Sequence, residues 1–409
     1  MRHRHPSVSL LAALAFFAAC SDGGTSNPTP DSPTGGGPDG GGMLRPFTAP
    51  ADPGALGILV TVSGETLANS GYDFPPADPG NVYFVDGWEI RYDRVLVTFD
   101  HINLAENPDK SPADQSQIGT VVAQNDGPWA VDLHKGGSLP DKEDNPNAAA
   151  PITAFTGKNA GGQSGAFDAT VRYAFSFEGV PAAANAFNVN LDADGVNDYQ
   201  EMISKGYTAL FVGTATFKGT SCVTTGTYDF TTLPTPVKFR LGFIAPAKYI
   251  NAQNPDNDPA EPFAGEEHQR GVQVQANAKI ISQVTFHLDH AFWESFVHDS
   301  PAHFDMFASQ YVGVTSPTAK MEDFVGKPLT PVKDKNGVTL PWRFCPPAVN
   351  PGKTSGLTFD TLGIPVNATG DPSTSIRDLY DYTIYNHSTW GHLNADGLSA
   401  VKRQYPSPP

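Results

Sequence analysis

Val272-Gln273-Val274-Gln275-Ala276-Asn277-Ala278-Lys279-Ile280-Ile281-Ser282-Gln283-Val284-Thr285-Phe286-His287-Leu288-Asp289 holds one register of alternation almost throughout. The even positions are apolar except Ser282, and the odd ones polar except Ile281. A period of two is the mark of a strand with one buried face. The run is about three times a typical strand, so it is expected to bend or break. The same pattern recurs at Ile58–Ser63, Val171–Glu178 and Val237–Phe243, while Val95–Leu104 is apolar on both parities in part and reads as a deeper strand. Helical spacing is scarce, with candidates only at Asp198–Lys205 and Ala291–Val297. With 40 Gly and 37 Pro in 409 residues, turns are frequent. The expected fold is all-β or β-dominated: an antiparallel sandwich-like or barrel-like body with a few short helices. The polar loop Asn254-Pro255-Asp256-Asn257-Asp258-Pro259 marks a boundary near 250–265 if the body has two lobes.

The chain carries 26 Lys+Arg against 43 Asp+Glu, a net charge of −17. Such a surface repels phosphate backbones and anionic headgroups, which excludes nucleic-acid binding or membrane docking by bulk charge. The N-terminus points to a different membrane attachment. Arg2 and Arg4 precede the apolar stretch Val8–Ala19, too short to span a bilayer but fitted to a signal peptide. It ends in Phe17-Ala18-Ala19-Cys20, which resembles the lipobox of bacterial lipoproteins, with Phe17 where Leu is usual. The resemblance implies that residues 1–19 are removed and Cys20 is lipidated. Ser21 after the Cys implies outer-membrane sorting. Residues 21–42 contain only Asp, Gly, Ser, Thr, Asn and Pro, so 20–42 reads as a lipidated tether and 43–409 as the body. Of the 3 cysteines, Cys222 and Cys345 then remain in an oxidising compartment. One disulfide is the economical reading, with free thiols or metal ligation as alternatives.

Four of the 11 histidines, His287, His290, His298 and His303, fall in one short segment among several carboxylates. His287 and Asp289 share the polar face of the long strand. A helix beginning after it would align His290, Glu294 and His298 on one face. His387 and His392 flank Trp390 near the C-terminus. The expected site is therefore a zinc or copper centre drawn from His287, Asp289, His290, His298, His387 and His392. The alternative is a solvated strand end. Thr285–His290 resembles the His-x-His-x-Asp-His motif of metallo-β-lactamase-fold hydrolases, but Thr285 replaces the first His, so only the ligand chemistry carries over.

Asn190–Glu201 resembles the calcium loop of the EF-hand family. Asn190, Asp192, Asp194, Asp198 and Glu201 stand at positions 1, 3, 5, 9 and 12, Gly195 at the turn, and Val196 at the carbonyl position. The resemblance implies calcium binding; the alternative is a polar turn that caps a helix near Asp198. No nucleophile, phosphate-loop or dinucleotide motif occurs. The reading that results is a bacterial envelope lipoprotein, held by its lipid, whose β-rich body binds a divalent metal. A metal-dependent surface hydrolase and a structural or adhesive surface protein are the alternatives.

Overall fold

The computed structural model describes residues 44–78, 80–257 and 266–405. Cys20, the signal segment and the tether lie outside the described residues. The body is strand-dominated and sandwich-like, as the alternation predicts, and it is not a closed barrel.

Its backbone is the strand Trp88–Ala105, 18 residues long and buried for most of its length. That length gives it two partners on each edge. One edge pairs with Ala209–Phe217 and then Arg172–Gly179; the other pairs with Trp129–Asp132 and then Val121–Asn125. Register shifts at Tyr92/Arg94 and Asp100/Asn103 re-aim the strand within each run. Val237–Phe243 extends the sheet beyond Ala209–Phe217. A second sheet of four strands runs in the order Gly391–Leu393, Ile280–Phe286, Ile58–Ser63, Ala150–Phe155. Phe286 of the small sheet packs on Phe99 and Phe177 of the large one, with ring centres 5.9 and 6.0 Å apart, and closes the core between the layers. Ile58–Ser63 is buried on both faces, including Thr61 and Ser63 at its odd positions, because neighbouring segments cover the outer side as well.

The long alternating stretch breaks as expected, and the break has a function. Val272–Gln273 pairs with Arg172–Tyr173 in the large sheet. The exposed Gln275–Ala278 turn follows, and Ile280–Phe286 then joins Ile58–Ser63 in the small sheet. One register of alternation thus serves two sheets. The strands flanking 250–265, Ala247–Ile250 and Val272–Gln273, both pair with Arg172–Gly179, so the chain returns to the same sheet after that loop.

The helix Ala193–Lys205 starts earlier than its apolar spacing suggests. Asp192 caps it by accepting from the Gly195 N–H, and Gly206 ends it in the left-handed conformation. The expected helix at Ala291–Val297 is absent. A short 3-10 turn, Leu288–Phe292, leads instead into an irregular loop. A second helix, Leu379–His387, begins at Asp378, whose side chain accepts from the Asp381 N–H. Cys222 and Cys345 form the disulfide that cysteine counting favours, with Cα atoms 4.0 Å apart. It closes a loop of 123 residues and restricts the unfolded chain by about 4–5 kcal/mol on the entropic account. Among the described residues no helix is long and apolar enough to cross a membrane.

Candidate metal centre

Three segments meet where Ile280–Phe286 ends. Thr285 pairs with His392 and Phe286 with Gly391, and His287 N–H donates to the Trp390 carbonyl at 2.9 Å. This pairing lays the His287 and His392 rings parallel, 4.2 Å apart. The 3-10 turn then carries His290 inward. Glu294 N–H bonds the Pro301 carbonyl and His303 N–H the Phe292 carbonyl, so the intervening loop folds back and returns His298 to the same place. The four rings form a quartet. All six pairs of ring centres lie between 4.2 and 6.2 Å apart. Four imidazoles bound at 2.0–2.1 Å to one tetrahedral ion have ring centres ~5 Å apart. One nitrogen from each ring lies within 4.8 Å of all the others.

The protonation pattern of this cluster follows from its neighbours. Thr389 Oγ1 donates to the Asn386 carbonyl at 2.7 Å, so it is the acceptor in its 2.7 Å bond with His290 Nδ1. His290 therefore carries its proton on Nδ1 and a lone pair on Nε2. His298 Nδ1 lies 3.2 Å from the Asp299 carboxylate, which fixes the same tautomer. Both Nε2 atoms are buried without a hydrogen-bond partner, as are both ring nitrogens of His392. Burial and the surrounding imidazoles push His290 well below the ordinary histidine range. Burial, with His287 and His298, does the same to His392. His287 differs. Burial works against its protonation, but the carboxylates of Glu65, Asp289 and Asp396 outweigh that and raise it to about 9. Unpaired buried nitrogen lone pairs cost free energy unless something accepts them. A borderline cation does.

Two of the expected ligands fall outside the quartet. Asp289 Oδ2 accepts from Trp293 Nε1 at 2.9 Å and holds that indole against His290, ring centres 3.7 Å apart. It positions an aromatic wall instead of a metal. His387 stacks on Phe243 at 3.8 Å and abuts Trp390, and burial alone depresses its basicity. An apolar slot between aromatic rings has claimed it. Glu294 also departs, because no helix aligns it with His290 and His298. It accepts instead from His303 Nε2 at 2.9 Å. Thr389, Asp299 and Trp293, which orient the quartet, carry no spacing signal that the sequence alone displays.

The calcium loop is not built. Asp192 caps the helix and pairs with Lys135 at 2.6 Å. Asp198 is held between Arg94 and Arg240, and Glu201 also pairs with Arg240. Asn190 donates to the Asp132 and Gly136 carbonyls, and Val196 N–H bonds the Asp192 carbonyl inside the helical turn. Asp194 lies in the first turn of the helix, where an acid offsets the helix dipole. Lys135, Arg94 and Arg240, all distant in sequence, pair with three of the four carboxylates that suggested calcium.

No protein-family model, curated protein or solved structure matches this chain.

Proposed function

We propose that the protein is an envelope lipoprotein, anchored through Cys20, whose body holds one zinc or copper ion on His287, His290, His298 and His392. The carrying observation is the convergence of four imidazoles with buried, unpartnered nitrogens. Four nitrogen donors complete a tetrahedral set and leave no position for a reacting water, which favours holding a metal over hydrolysing a substrate. An all-imidazole set with no oxygen donor suits zinc and copper better than calcium, magnesium or manganese. The apolar-free stretch 21–42 is long enough to keep the body clear of the lipid surface.

Elemental analysis of the mature protein tests this reading: about one zinc or copper per chain is expected, and none after His290→Ala. A chain that takes up neither metal would leave the structural or adhesive alternative. Turnover of an ester or phosphoester that a chelator abolishes would instead support the hydrolase. For the anchor, Cys20→Ala should release the protein from membranes; unchanged partitioning would remove the lipid from the proposal.

A further inference from the structure

A cleft of about 430 Å³ opens beside the quartet, and its floor includes His287 and Trp293. Glu65, Glu143, Asp289, Asp299 and Asp396 line it, and neither Lys nor Arg is among its lining residues. The negative charge gathers at the floor: Glu65 Oε1 and Asp396 Oδ1 lie 3.3 and 3.8 Å from His287 Nε2. Burial, then Glu65 and other nearby carboxylates, raises the Glu143 carboxyl above its ordinary range. Directly behind His287 stand His392 and His290, 0% and 1% exposed, with ring nitrogens that nothing satisfies. An acidic funnel free of Lys and Arg therefore ends at a set of buried nitrogen donors without hydrogen-bond partners.

We infer that this cleft is the loading path of the metal centre, and that Glu65, Glu143 and Asp396 capture the metal as a free hydrated dication before the imidazoles take it. This rests on the reading of the quartet as a metal site and adds the form in which metal arrives. Low-dielectric walls of one charge focus the field and concentrate counter-ions, which accelerates association by 10-fold or more. Oxygen donors also exchange water for a passing dication without binding it as firmly as four imidazoles do. A metal presented inside an anionic chelate gains nothing from such a funnel and is repelled by it.

Trp293 sits against His290 and supplies a fluorescence reporter of copper(II) uptake by the metal-free full-length protein. Stopped-flow loading at low ionic strength should be about 10-fold slower in Glu143→Gln/Asp396→Asn than in wild type when copper(II) is supplied as the aquated ion. With copper(II) supplied as its anionic nitrilotriacetate complex, the variant should load as fast as wild type or faster. Asp396→Asn alone, at a mostly exposed position, should show the same effect more weakly and guards against misfolding of the double variant. Equal wild-type and variant rates for the aquated ion, or equal slowing for ion and chelate, would overturn the loading path. Wild-type uptake that fails to reach one ion per chain, or survives His290→Ala, would instead overturn the quartet as the destination.

Discussion

The segment His287–Asp305 feeds two buried polar clusters that handle the same residue types in opposite ways. In the first, four imidazoles face one another with unpartnered nitrogens. In the second, beneath the disulfide, nearly every polar atom has a partner. His303 Nε2 bonds Glu294, and Asp86 Oδ2 accepts from the Phe304 and Asp305 N–H groups. Asp305 accepts from Trp88 Nε1 at 2.8 Å and from Arg343 Nε at 2.9 Å. Asp86 Oδ1 alone lacks a partner there, and burial together with the Asp305 carboxylate raises the Asp86 pKa above the ordinary carboxylate range. A histidine cluster that closes its own hydrogen bonds stabilises the fold; one that leaves lone pairs open asks for a ligand.

The comparison is broken or sharpened most strongly by metal removal. If the quartet binds at nanomolar Kd, a thousandfold excess of metal over Kd adds about 4 kcal/mol, or about 5 °C in Tm for a body of this size. Chelation should erase that shift in wild type, and His392→Ala should show no shift with or without metal by scanning calorimetry. A similar loss is expected from Asp305→Ala, which leaves Arg343 buried without its anion and costs about 3–5 kcal/mol. Here metal stoichiometry should stay at the wild-type value; a simultaneous loss of metal would show that the two clusters are one unit.

Thr389→Val comes next. Without the hydroxyl that fixes the His290 tautomer, metal affinity should weaken about 10- to 100-fold in a competition titration, while the metal-free protein loses only a few degrees in Tm for the His290 N–H left without its acceptor. The smallest effect concerns pH. Asp86 and His303 both titrate higher in the folded chain, Asp86 through burial and Asp305, His303 because Glu294 and Asp86 outweigh its burial. Groups raised in this way contribute stability that is fully present below their unfolded pKa and lost as pH rises through the folded one. The contribution of these two groups to Tm should therefore fall by a few degrees between pH 5 and pH 8, opposed by the buried, depressed His290, His387 and His392, whose contribution runs the other way. In Asp86→Asn, which keeps the acceptor for both backbone N–H groups, the fall should be shallower. An unchanged slope would remove Asp86 from the account.

The strands were largely legible in the sequence because alternation reports burial directly: Val237–Phe243 occupies the whole of its expected range. What alternation does not report is which sheet a residue joins, so the crossing between Gln273 and Ile280 was visible only as excessive length. The histidines were legible as a cluster but not as two. His298 reaches the quartet and Glu294 leaves it because the loop folds back at Trp293–Ala302, a tertiary choice with no periodic trace. Asp289 and His387 stand outside the quartet for one reason: their partners, an indole and a phenyl slot, are supplied by packing. The ion pairs of the acidic segment were hidden likewise, since Arg94 and Arg240 lie on strands that nothing near Asp198 announces.

His392 arrives from Gly391–Leu393, near the end of the described chain, while its three companions stand within a dozen residues of one another. A chain clipped ahead of that strand owns three of these imidazoles and leaves the Val284–Phe286 edge without the strand that carries the fourth. The proposed metal would therefore report on the docking of Gly391–Leu393, because only that pairing brings His392 beside the other three rings.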